Sequence, residues 1–228
     1  GRGGCVVAGW PAPETFPRPT LIPLGDSAVV VRFGTVLTDS ANRAAIALAD
    51  TLTLAPIAGV IEVMPNLISL LLRYDPRTAS AATILGEVRL RMASLSATGG
   101  TGRRWSLAVT FDGPDLESAA AALGMTRAAF IAAHNSVPLR VLATGFAPGF
   151  VYCGLHRDEL ALPRRSAVRP AVPPGSVLFA AGQTAITATE IPTGWHVIGR
   201  TEFRNFDPQG EVPTRLSAGD MIDFAVAP

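Results

Sequence analysis

The sequence predicts an α+β chain of two domains, a small antiparallel sheet backed by helices and then a β-barrel. Three observations carry that prediction. In the N-terminal half, two segments with apolar residues at helical spacing alternate with β-branched runs. From residue 139 onward, glycine and proline punctuate short apolar runs, the pattern of a closed or nearly closed barrel. The 228 residues are 48% hydrophobic and only 16% charged, too apolar for a disordered chain.

Residues 1–19, with prolines at 11, 13, 17 and 19, read as a flexible leader. Its apolar stretch is too short and too broken by glycine for a signal peptide. Residues 27–33 form a β-branched strand, and Asp39 or Ser40 caps a helix running to about Leu54, ended by Pro56 and Gly59. Val60–Met64 and Ser69–Tyr74 flank Pro65-Asn66 as a hairpin. A second helix starts near Ser80, with Ile84, Leu85, Val88, Met92 and Leu95 on one face. After the glycine-rich break at 98–102, Trp105–Phe111 is the next strand. The order β-α-β-β-α-β is the split βαβ arrangement of ferredoxin-like folds, which assigns residues 20–104 to the first domain. Residues 105–228 form the second, although strand 105–111 stands at the boundary and is also able to complete the first sheet. Asp115 caps a short helix closed by Gly124, and Thr126 caps another ending near His134. The barrel strands read as Leu139–Thr144, Ser176–Ala180, Ala185–Thr189, His196–Gly199 and Met221–Val226.

Composition excludes several chemistries. All 19 basic residues are arginine, so the chain holds no Walker-type phosphate loop, Schiff-base lysine or biotinyl-lysine. A formal net charge of +1 argues against nucleic acid as a partner. No apolar run approaches the roughly 20 residues of a membrane helix. Cys5 and Cys153 lack paired spacing, so a reducing, cytoplasmic setting is expected.

The densest unusual segment is Gly145-Phe146-Ala147-Pro148-Gly149-Phe150-Val151-Tyr152. Its glycines permit close backbone approach, and its aromatics either wall a pocket or fill a barrel corner. Arg164, Arg165 and Arg169, held in a proline-rich stretch, form either a cradle for a carboxylate, carbamoyl or phosphate group or a solvated loop. Gln183 and Thr184, with Trp195 and Arg200, either orient a small amide or brace the barrel. Cys153 and His156 make a C-x-x-H pair without the further ligands that zinc requires, so no metal is expected. Cys153 as a nucleophile would need His134 or His156 as its base. The bland alternatives are a buried thiol and a helix-terminal His134 on the last carbonyls. Ser176 lies in no G-x-S-x-G elbow.

Taken in order, Gly145–Tyr152, Val172-Pro173-Pro174-Gly175-Ser176-Val177, Gly182-Gln183-Thr184 and Gly194-Trp195 through Ile198-Gly199-Arg200-Thr201 resemble the allophanate hydrolase subunit 1 family. The same family carries the names 5-oxoprolinase B-type subunit and sporulation kinase inhibitor. Leu24-Gly25-Asp26, Gly113-Pro114-Asp115-Leu116 and Gly219-Asp220 fit as well. The chain departs from the family pattern at Thr193, Ala171, Thr187-Ala188 and Cys153–His156. The resemblance implies a ferredoxin-like domain followed by a cyclophilin-like barrel, one half of a split carboxyltransferase domain. It implies a homologous subunit 2, the C-type chain, as partner in a heterodimer or heterotetramer, and a third subunit. The assembly implied is an ATP-dependent amidohydrolase complex acting on a small amide or lactam, with no covalently bound cofactor here. Two other roles are also implied, inhibition of a sensor histidine kinase or the carboxyltransferase half of a urea carboxylase-like system. A purely structural subunit is a further reading. Joined to the residue patterns, the resemblance makes Arg200 and Gln183 the expected catalytic pair. Tyr152, Arg164, Arg169, Phe146, Gly149 and Trp195 are the expected substrate-binding residues.

Overall fold

The computed structural model describes residues 16–93, 95 and 102–227; most of the expected leader and of the break at 98–102 lies outside them. The chain divides into two compact units, Gly1–Gly99 and Gly100–Pro228.

The first unit contains β1 (Thr20–Leu24), β2 (Ala28–Arg32), α1 (Asp39–Leu54), β3 (Val60–Pro65), β4 (Ser69–Tyr74) and α2 (Ala81–Ala93). Its sheet has the order β1-β2-β4-β3 and every pairing is antiparallel. The period of two along a strand puts Val29, Val31, Leu70 and Leu72 on one face. There they pack against Ala44, Ala45 and Leu48 of α1 and against Ile84 and Val88 of α2. The cap of α1 is Thr38, neither Asp39 nor Ser40. Thr38 is the last extended residue (φ −125°, ψ 158°), so its hydroxyl meets the first free amides and accepts from Ala41 N at 3.2 Å.

The strand read at 105–111 does not join this sheet. The fourth place belongs to β1, whose Pro23 disguised it; a proline is tolerated there because β1 lies at an edge, where its missing N–H faces no neighbour.

The second unit runs through β5 (Arg104–Val109), α3 (Leu116–Ala122), α4 (Arg127–His134), β6 (Leu139–Thr144), β7 (Val151–Gly154), β8 (Arg169–Val172), β9 (Ser176–Ala180), β10 (Gln183–Ile186), β11 (Ile191–Thr193), β12 (His196–Arg200) and β13 (Met221–Val226). Seven strands form one sheet in the order β12-β9-β10-β7-β6-β13-β5, and β8 pairs with β11 as a separate ribbon. The sheet curls until its two edges meet. Thr110 and Arg200 exchange both N–H···O bonds at 2.9 Å, and Asp115 N donates to Val197 O at 3.1 Å. Gly199 permits this closure, since a Cβ there would lie 2.5 Å from Thr110 O. The architecture is mixed α+β.

Strand alternation sorts the side chains of this sheet into two apolar clusters. Val177 and Phe179 of β9 point inward to join Val109, Phe130, Val141 and Ile198. Leu178 and Ala180 point outward to Phe150, Val172, Ile191 and Trp195, beneath the β8–β11 ribbon. A strand buried on both faces reads as a continuous apolar run, as Ser176–Ala180 does.

Candidate functional site

The outer face of the curled sheet carries a ladder of aromatic rings. Phe146 lies 5.5 Å from Phe150, Phe150 lies 4.8 Å from Tyr152, and Tyr152 lies 6.0 Å from Trp195, all edge-to-face. Such pairs add about 0.5–1.5 kcal/mol each beyond their burial. The Arg164 guanidinium sits 5.6 Å from the Trp195 ring centre, and no carboxylate among the described residues pairs with it. Burial pushes the Tyr152 phenol above its ordinary value, partly offset by the charge of Arg164. Gln183 shares this face with Ala185, which is paired with Tyr152. Its Oε1 is buried and accepts no hydrogen bond from any described residue.

Phe146 is held outward by its backbone. Gly145, Phe146 and Gly149 all have positive φ (123°, 78° and 67°), and Phe146 is 72% exposed. A bulky residue in the left-handed region costs on the order of 1–3 kcal/mol, a strain that tends to concentrate at functional sites.

The ladder thus brings together Phe146, Tyr152, Trp195 and Arg164, and Gln183 lies on the same face of the sheet. Three other residues expected in the site are engaged elsewhere. Arg169, expected to hold an anionic oxygen of the substrate, has its Nη2 2.9 Å from both carboxylate oxygens of Asp115. Gly149, expected to admit a ligand, faces space that the protein itself fills. A Cβ there would lie 2.5 Å from Phe206 Cβ and 2.7 Å from Ala188 Cβ. Arg200, expected beside Gln183, donates through Nε to Asp112 at 2.9 Å, and its side chain lines a different cleft, along β5. The seam that closes the sheet carries Arg200 there.

Asp115 is the residue whose role sequence reasoning missed. Its position before a helix reads as a cap, but it makes no side-chain cap bond. Its carboxylate instead receives Arg165, Arg169 and the amide of Val197, the last at 2.8 Å. Burial alone would raise its pKa; the Val197 amide and the two guanidinium groups overcome that and hold it below the ordinary value. This one carboxylate ties β8 and the segment carrying Arg164 to β12. The Gly113-Pro114-Asp115-Leu116 motif was the only sequence signal for it.

Inside the barrel lies a second polar cluster. It corrects two further expectations, His134 on helix carbonyls and Thr184 beside Gln183. His134 Nε2 and His156 Nε2 each lie 2.8 Å from Thr184 Oγ1, and His134 Nδ1 lies 2.6 Å from Asn135 Oδ1. Period-two alternation forces adjacent Gln183 and Thr184 to opposite faces. With Asn135 Oδ1 as acceptor, His134 Nδ1 donates and its Nε2 accepts from the Thr184 hydroxyl. The Thr184 oxygen then accepts from His156 Nε2–H. Phe130, Phe179 and Phe224 pack around these rings. Burial pushes His134 down to about 4, opposed by the Asn135 bond, and burial reinforced by the neighbouring His134 pushes His156 down to about 3. Cys153, paired with Thr184 across the strands, is fully buried, and burial pushes its thiol up, away from the thiolate a nucleophile needs. Among the described residues, no three His, Cys, Asp or Glu side chains could hold a metal ion, and no helix is long and apolar enough to cross a membrane.

Comparison with known proteins agrees with the motifs. The B-type subunit of 5-oxoprolinase from Bacillus subtilis (strain 168) is 34% identical over 215 residues, covering 88% of this chain and 90% of that relative. The crystal structure of TTHA0988 superposes with a TM-score of 0.78 at 35% identity over 89% of this chain, which spans 40% of that one's length. The urea carboxylase of Kluyveromyces lactis shares the fold alone, with a TM-score of 0.72 at 13% identity over 95% of this chain and 22% of its own. The family model for the carboxyltransferase domain, subdomains C and D, matches residues 19–216, and the chain belongs to that family.

Proposed function

We propose that this chain is the B-type subunit of an ATP-dependent amidohydrolase that opens a small lactam or amide bearing a carboxylate, 5-oxoproline being the first candidate. On this reading the first unit is a ferredoxin-like domain in which β1, in place of a strand after α2, completes the sheet, and the second is a cyclophilin-like barrel whose outer face forms one wall of the active site. The homologous subunit 2 supplies the other wall.

The observation that carries the reading is the grouping on one face of a cation without a carboxylate, an unpartnered amide oxygen and a phenol. Arg164, held among the described residues by its stack on Trp195, takes the substrate carboxylate; a cation–π contact of about 0.5–1 kcal/mol is easily exchanged for a charge-assisted bond. Gln183 Oε1, which lacks a donor, accepts the amide N–H. Tyr152 is a phenol, protonated near neutral pH, and burial reinforces that state, so its hydroxyl donates to the substrate carbonyl as negative charge develops. Such a wall works by positioning and charge stabilisation, without a covalent nucleophile. ATP is bound by another subunit, in keeping with the absence of lysine. Relatives named as B-type subunits of 5-oxoprolinase support the substrate assignment.

The test is ATP-dependent 5-oxoproline opening by the reconstituted complex. Arg164→Ala and Gln183→Ala should each slow turnover about 10–100-fold, the worth of one charge-assisted or buried hydrogen bond. Arg73→Ala, which removes an exposed ion pair with Glu62 in the first unit, should leave it unchanged. Undiminished turnover in both ladder variants would overturn the assignment.

A further inference from the structure

The seam of the second unit is closed at one end only. β5 pairs in parallel with β13, from Arg104 opposite Met221 to Val109 opposite Val226. Met221 N donates to Arg103 O and Ala227 N to Val109 O, each at 2.8 Å. In a parallel ladder these bonds repeat every second residue. The odd-numbered residues of β5 therefore direct their backbone groups to β13, and Arg104, Ser106, Ala108 and Thr110 direct theirs away from it. Thr110 spends its pair on Arg200. Ala108 O accepts the Thr201 hydroxyl at 2.8 Å. Beyond that point the chain after β12 swings away, and the N–H and C=O of Ser106 and the N–H of Ala108 have no partner among the described residues.

These groups line a half-open cleft of about 150 Å³ between β5 and Thr201–Phe203. Edge strands are normally blunted by lysine, proline, a bulge or a covering segment. Here the two residues at the cleft are Ser106 and Ala108, small and exposed, and β5 contains no proline and pairs without a bulge. The charges at the mouth are balanced, Arg104 by Asp223 and Arg200 by Asp112.

We propose that the cleft is a strand-addition site, in which an uncharged extended segment of the homologous subunit 2 pairs with the backbone of Ser106 and Ala108 and continues the sheet past the Thr110–Arg200 bridge. Two structural features call for an extended segment that protrudes from another chain. The unmet groups are two donors and an acceptor at strand spacing, the pattern that an added extended backbone meets together. The edge is also recessed behind Thr201–Phe203, so an identical recessed edge from a second copy of this chain does not reach it, whereas a protruding segment does. The proposal rests on the reading that the chain works with subunit 2.

Residue-resolved amide exchange on this chain, alone and mixed with subunit 2, tests it. In the isolated chain the amides of Leu107 and Val109 should be protected and those of Ser106 and Ala108 should exchange rapidly. Complex formation should slow Ser106 and Ala108 by at least roughly tenfold while Leu107 and Val109 stay as they were. Ser106→Pro removes only an outward-facing donor and spares the β13 ladder, so it should weaken the complex roughly tenfold while the β13-facing amides keep their protection. A complex that forms without protecting Ser106 and Ala108 overturns strand addition and leaves the two-subunit reading standing. Absence of any complex overturns both. Protection that grows with the concentration of the isolated chain assigns the edge to a second copy and overturns the proposal.

Discussion

The second unit holds two groups of polar side chains on opposite faces of one sheet, and they differ in how completely they are satisfied. Inside, His134, Thr184, His156 and Asn135 form a directed hydrogen-bond chain in which both rings stay neutral. Outside, among the described residues, Arg164 has no carboxylate and Gln183 Oε1 has no donor, and Phe146 stands 72% exposed on strained backbone. Titratable residues and perturbed pKa values alone would point to the interior as the reactive centre. Satisfaction points the other way. A closed network rigidifies the fold, and an incomplete one is available to a ligand.

Removing the shared hydroxyl should break this contrast most sharply. Thr184→Val strands both Nε2 atoms in an apolar interior, where each unsatisfied group costs about 1–3 kcal/mol. We expect a loss of about 2–5 kcal/mol in urea denaturation of the second unit. A loss below about 1 kcal/mol would mean that the interior cluster is not the closed network described.

Acid should sharpen the contrast next. Both histidines are held neutral when folded, with values near 4 and 3 against an ordinary 6.5. Below pH 6.5 the unfolded chain binds protons that the folded chain refuses, so stability falls as pH drops. The slope is about 1.4 kcal/mol per pH unit for each histidine until the folded-state values are reached. His156→Leu removes one titrating ring and leaves Thr184 donating to His134, so the slope between about pH 6 and 4.5 should fall by about half. An unaltered slope would show that His156 is not buried neutral.

The smallest effect is expected at the tip of the outer ladder. Phe146→Gly relieves a left-handed φ of 78° at an exposed site and should raise stability by about 0.5–1 kcal/mol in thermal unfolding. Turnover of the assembled complex should fall. A destabilised variant would mean that the ring packs more than it presents.

How much of this is legible in the sequence differs between elements for physical reasons. Ser176–Ala180, Leu139–Thr144 and Met221–Val226 are readable to the residue because burial on one or both faces leaves a direct imprint on the order of apolar side chains. Val151–Gly154, Arg169–Val172 and Ile191–Thr193 are not, being three or four residues long and interrupted by glycine or proline. The helix face of Ile84, Leu85, Val88, Met92 and Leu95 is legible from spacing and packs accordingly. Asp115 is hidden because a carboxylate before a helix looks like a cap whatever else it binds.

What the sequence by itself determined was the periodicity, the lysine-free composition and the motif set that places the chain in its family, since all three are properties of residue order. The tertiary structure alone decided which strand fills the fourth place of the first sheet, which arginines are neutralised by Asp115 and Asp112, and which stays available beside Trp195. The neutralised arginines meet their carboxylates from 50 to 88 positions away, a range that no local pattern encodes, and β1 takes its place through an edge pairing with β2 that its proline hides.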